Sequence, residues 1–158
     1  TQNVLWRIEN GALDGISPKI VTLMIGTNNM HDTKKAYPAD KPDDIFAGIQ
    51  AIVAEVRTRL PNSKVVVFSV FPRKEGSEND RAKAVNAMLP QLDDGKFVFH
   101  LDLNHFFSKE NGQQDKIFYN KDLLHFNEQG YFVWAKVLKT LLEKHGLSVS
   151  LHDLGEKN

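Results

Sequence analysis

Three short apolar runs, set apart by helical patterns, do most to limit what this chain can fold into. Residues 20–25 follow the turn signal Ser17-Pro18 and stop at Gly26. Residues 65–71 are rich in β-branched side chains and are closed by Pro72, and residues 97–103 follow an Asp94-Gly95 turn. Runs this short and apolar suit strands covered on both faces, and the helices between them make those strands parallel. Ile45, Ile49, Ile52, Val53, Val56 and Leu60 recur at helical spacing between the start signal Pro42-Asp43-Asp44 and the stop Pro61. Ala82, Val85, Met88, Leu89 and Leu92 predict a shorter helix after the polar loop 73–80. A last helix is expected from about Glu128 to His145, with Asn127 as N-cap and Gly146 as its end. Tyr131, Trp134, Leu138, Leu141 and Leu142 form its apolar face. The economical architecture is an α/β sandwich on a parallel sheet, one domain over 1–147 with a polar tail over 148–158.

A chain of 158 residues can bury one sizeable core. Its 20 basic residues are balanced by 20 acidic ones, which leaves no basic footprint for a nucleic-acid backbone. With no cysteine, disulfides, thiolate metal sites and cysteine nucleophiles are excluded, while the compartment stays open. No apolar run approaches the roughly 18 residues of a membrane span. Thr1-Gln2-Asn3 has neither the leader of a signal peptide nor an initiator methionine. The visible start is therefore expected to be a processed, truncated or incompletely recorded terminus.

The chemistry concentrates in two places. Asp122 stands three residues before His125, just ahead of the last helix. A histidine can take a proton near neutral pH and return it to a leaving alcohol, and a carboxylate beside it can fix its tautomer. Gly26-Thr27-Asn28-Asn29 ends the first strand, and in an open α/β sheet chemistry gathers at carboxyl ends of strands. There the Asn28 amide offers donors for an oxyanion, while an Asn-rich turn is the plainer reading of the same four residues.

Together these stretches resemble the later catalytic blocks of the SGNH (GDSL-type) ester hydrolases, closest to the platelet-activating-factor acetylhydrolase-like branch. The similarity rests on Gly26-Thr27-Asn28-Asn29 and on the run from Asp122 through His125 to Gly130-Tyr131, and it covers nearly the whole chain. It implies a flavodoxin-like three-layer α/β/α sandwich, a small ester as substrate, and neither metal nor organic cofactor. It implies His125 as general base, Asp122 as its partner and Asn28 as the oxyanion-hole asparagine. It places Thr1–Arg7 just after the family's second block and implies that Asp102 anchors loop backbone.

The family's nucleophilic serine lies in a Gly-Asp-Ser block on a central first strand, and the resemblance puts that block before Thr1. None of Ser17, Ser63, Ser69, Ser77, Ser108, Ser148 or Ser150 has the strand-to-helix elbow that presents a nucleophile. The 158-residue chain is therefore expected to lack its nucleophile. Its sheet should need a preceding segment, another chain or a swapped element, a homodimer being one form. Two other readings stand beside this one. His100, Asp102 and His105, with His125 and Asp122, carry atoms that can ligate a metal. A binding module on an esterase fold is the second, because a fold does not guarantee its chemistry.

Overall fold

A computed structural model describes residues 1–31, 38–144 and 146. The expected 148–158 tail lies outside them. The described chain forms two compact units, Thr1–Gln114 and a second beginning at Asp115.

The first unit holds α1 (Gln2–Glu9), β1 (Ile20–Leu23), α2 (Pro42–Arg59), β2 (Lys64–Phe68), α3 (Ser77–Met88) and β3 (Val98–Leu101). The three strands make one parallel sheet in the order β1-β2-β3, with Val21 opposite Val65 and Val66 opposite Phe99. The expected parallel α/β sheet is therefore present, with shorter strands than the apolar runs that carry them. β1 stops at Leu23 because Gly26, at φ 113°, turns the chain into a short 3₁₀ segment, Thr27–Met30. Val65 and Val66 are fully buried and Val67 and Phe68 nearly so, as a middle strand covered on both faces requires.

α2 starts with Pro42 in its first turn, followed by Asp43 and Asp44, and ends with Arg57 and Arg59 in its last turn. Both ends complement the helix dipole. Arg57 also caps the exit, donating to the carbonyls of Leu60 and Pro61 at 3.1 and 2.8 Å. Ile45, Ile49, Ile52, Val53 and Val56 all face the core, where Ile8 and the half-buried Val4 and Leu5 of α1 join them. α3 begins earlier than its apolar spacing predicted, because Glu78 and Asp80 in the first turn favour the N-terminus. Leu89–Leu92 continues it as a 3₁₀ turn. The Asp94 carboxylate accepts the backbone N–H groups of Lys96, Phe97 and Val98 at 2.8, 2.7 and 2.8 Å, closing the turn before β3. Those backbone donors hold it below the usual carboxylate range.

In the second unit α4 spans Glu128–Lys144. Asn127 caps it as expected, its Oδ1 accepting the Gly130 N–H at 3.0 Å. Leu142 is buried, but Tyr131 is exposed. Tyr131 instead rims an aromatic cluster, stacking on Trp134 at 6.0 Å and meeting the Phe126 ring edge-on at 5.9 Å. No helix among the described residues is long and apolar enough to cross a membrane.

Candidate active site

In the second unit a tight loop is held by its own backbone and side-chain hydrogen bonds. Tyr119 and Phe126 form an isolated antiparallel bridge. Inside it the Asn120 N–H donates to the His125 carbonyl at 2.8 Å, and the Asn120 amide to the Phe126 carbonyl at 3.0 Å. Asp122 Oδ1 accepts the N–H groups of Leu124 and His125 at 2.9 and 3.0 Å, an Asx-type turn. To close it, Leu123 adopts φ 55°, the one positive φ at a non-glycine residue among those described. Gly130 completes the frame. A Cβ there would sit 2.3 Å from the Phe118 carbonyl, so only glycine lets the first turn of α4 lie this close.

The second oxygen of that carboxylate, Asp122 Oδ2, lies 2.8 Å from His125 Nδ1. A carboxylate acceptor fixes the proton on Nδ1 and leaves the Nε2 lone pair free to take another. The imidazole is largely exposed, 68% for its side chain, so that lone pair is accessible. The hydrogen bond from His125, with the two backbone donors, holds the Asp122 carboxyl down to about 2.

The first unit carries the other motif, and it separates the two adjacent asparagines. The Asn29 side-chain amide donates to Asp40 Oδ2 at 2.7 Å and to Gln2 Oε1 at 2.9 Å, and the Asn29 backbone carbonyl accepts the Asp40 N–H at 2.9 Å. Asn28 is exposed and has no such tether among the described residues. It lines a cleft of about 350 Å³ with Met24, Ile25, Gly26 and Thr27. Asn29 is thus a strut and Asn28 the available donor.

Around this turn lie residues that sequence reasoning missed. Arg73, 8% exposed, donates through Nη1 to the Thr27 carbonyl at 2.9 Å and to Thr27 Oγ1 at 2.6 Å. Its Nη2 pairs with Glu78, which also meets His31 Nδ1. Burial raises the Glu78 carboxyl, but the His31 hydrogen bond and the Arg73 charge outweigh it and leave the group below its ordinary value. Asn79 accepts the Arg73 N–H at 3.1 Å, and Asn86 exchanges two hydrogen bonds of 2.8 Å with the Val70 backbone. Arg73, Glu78 and Asn79 fall in the stretch that reads as the polar loop 73–80, where sequence offers no signal that they turn inward.

The remaining candidates fall away from chemistry. Ser69 Oγ is 3.0 Å from His100 Nε2, a pairing that superficially suits a nucleophile, but Ser69 is 1% exposed. Burial pushes the His100 pKa down, partly opposed by Asp102 and Asp93. Asp102 Oδ1 accepts the Asn104 N–H at 2.9 Å, the anchoring of loop backbone expected of it. His105 packs its ring 3.8 Å from that of Phe106. Among the described residues no three His, Asp or Glu side chains cluster as metal ligands would.

The model of the GDSL-like lipase/acylhydrolase family matches residues 1–133. The chain is 34% identical over 152 residues to the rat (Rattus norvegicus) platelet-activating factor acetylhydrolase IB subunit alpha2, covering 90% of this chain and 58% of that protein. It thus spans a little over half the length of that relative. Among solved structures it is similar to a GDSL-like lipase from Bacteroides thetaiotaomicron, with TM-score 0.71 and 20% identity over 89% of this chain and 69% of the other. It is also similar to a carbohydrate esterase family 3 protein from Talaromyces cellulolyticus, with TM-score 0.63 and 20% identity over 94% and 66%. These structures share the α/β fold.

Proposed function

The chain belongs to the GDSL-like lipase/acylhydrolase family, and from that premise we propose that the complete protein is a serine ester hydrolase releasing a short acyl group, acetyl first, from a carbohydrate or lipid ester. The observation that carries this reading is the 2.8 Å contact between Asp122 Oδ2 and His125 Nδ1, which leaves Nε2 free as a proton acceptor.

The steps follow from that polarity. A serine hydroxyl attacks the ester carbonyl carbon while His125 Nε2 takes its proton, and Asp122 stabilises the imidazolium. The carbonyl oxygen becomes an oxyanion, and the Asn28 amide donates to it as charge develops. The C–O bond to the alcohol then breaks, and Nε2 returns its proton to the leaving oxygen. Water repeats the sequence on the acyl-serine, releasing the acid and restoring the hydroxyl.

The attacking serine is proposed to lie N-terminal to Thr1, in a Gly-Asp-Ser segment. One observation supports this: Ser69, the serine paired with a histidine, is buried. The placement before Thr1 follows from the family resemblance alone. The substrate class rests on the relatives' names alone: an acetylhydrolase among the sequences and a carbohydrate esterase among the structures.

The test is covalent labelling of the protein from its complete reading frame with a fluorophosphonate, followed by peptide mapping. The label is expected on a serine upstream of Thr1, with p-nitrophenyl acetate hydrolysis lost in step. A label on any serine of 1–158, or turnover untouched by labelling, would contradict the assignment. Profiling on acetylated glycans and acetylated lipids then identifies the alcohol.

A further inference from the structure

The turn that carries Asn28 is secured at every residue except Asn28. Gly26 is buried, and a Cβ on it would come within 3.0 Å of Ile45. Asn29 is tied to Asp40, while Met30 is fully buried and its carbonyl accepts from Arg81 at 3.3 Å. Thr27 is held through both its carbonyl and its hydroxyl by one guanidinium, that of Arg73, 46 residues further along the chain. Arg73 is itself set by Glu78 and by the Asn79 side chain on its backbone N–H.

Burying a guanidinium costs free energy that pairing only partly offsets, and an apolar side chain would fill the same space without that cost. What arginine supplies is direction. Its planar fork presents Nη1 to Thr27 and Nη2 to Glu78 at once, which a lysine ammonium does not reproduce. An oxyanion donor depends on such fixed geometry, since misplacement by about 1 Å costs about 10²-fold in rate.

We propose that Arg73 is a positioning residue for catalysis: through Thr27 it fixes the turn that aims the Asn28 amide, with Glu78 holding the guanidinium in place. The inference rests on the reading of Asn28 as oxyanion donor. It assigns Arg73 no contact with substrate.

The experiment is a double-mutant cycle in the protein from its complete reading frame, assayed on p-nitrophenyl acetate. Arg73→Met is expected to lower kcat about 10- to 100-fold with KM changed less than about threefold. In the Asn28→Ala background the same substitution is expected to change kcat by less than about threefold, because the donor it aims is gone. Arg73→Lys should restore only part of the rate. Equal losses in both backgrounds would make Arg73 a general stabiliser and overturn the proposal, as would unchanged kcat in Arg73→Met. If Asn28→Ala itself leaves kcat intact, the oxyanion reading falls and takes the inference with it, an outcome distinct from the other two. Should Arg73→Met fail to fold, Glu78→Gln keeps the shape and removes the charge behind Arg73. A fewfold loss confined to the Asn28-containing protein supports the proposal, and an additive loss overturns it.

Discussion

Asp122 holds His125 twice: its Oδ2 meets the Nδ1 of the ring at 2.8 Å, and its Oδ1 accepts the His125 backbone N–H at 3.0 Å. One carboxylate therefore sets both the orientation of the imidazole and the course of the loop that carries it.

That double hold is visible in a titration. The Asp122 carboxyl should titrate at about 2 by carbon-detected NMR. His125→Ala removes the leading cause of the depression, so the midpoint should move up toward the ordinary aspartate value. The sign follows: a depressed carboxyl favours folding above its unfolded value, and that contribution is lost as pH falls through about 2. An unmoved midpoint in His125→Ala would place the stabilising donors in the backbone alone.

The two neighbouring asparagines should respond oppositely to alanine. Asn28→Ala should lower kcat of the complete protein by about 10²–10³-fold with little change in KM or in melting temperature. Asn29→Ala cuts the tie to Asp40 and should cost about 1–3 kcal/mol of stability, read from denaturant unfolding. A raised KM with intact kcat in Asn28→Ala would make it a binding or turn residue.

Gly26→Ala combines φ 113° with a Cβ 3.0 Å from Ile45. It should destabilise the chain by more than about 1 kcal/mol, measured by urea unfolding, and an unchanged midpoint would mean that the turn is freer than described.

His100 gives the first unit an acid-sensitive element. Burial lowers its pKa in the folded chain, so the unfolded chain binds its proton first. Its contribution to stability is complete above about 6.5, the ordinary histidine value, and declines as pH falls below it. His100→Gln should flatten the decline of the unfolding free energy as pH falls below about 6.5. The same decline in variant and parent would assign it to another group.

Much of this was legible because it is local. Strands were marked by apolar runs and α2 by a strict helical period, and Asp122 and His125 are three residues apart, within one turn of chain. What escaped is long-range. Arg73 reaches Thr27 across 46 residues, and nothing in the polar loop 73–80 distinguishes a buried arginine from a solvated one. Asn79 falls in the stretch that reads as a polar loop, and Asn86 is one polar position among the helical spacing, until the loop after β2 is laid against them. The exposure of Tyr131 was hidden for a different reason: helical spacing marks an apolar face without saying what covers it.

The central claim is that His125 is the proton carrier of an acyl transfer, and steady-state kinetics on the complete protein test it most directly. His125→Ala should lower kcat/KM for p-nitrophenyl acetate by about a thousandfold or more, while His100→Gln stays within about tenfold of the parent. A His125→Ala protein that folds and turns over within about tenfold of the parent would contradict the account.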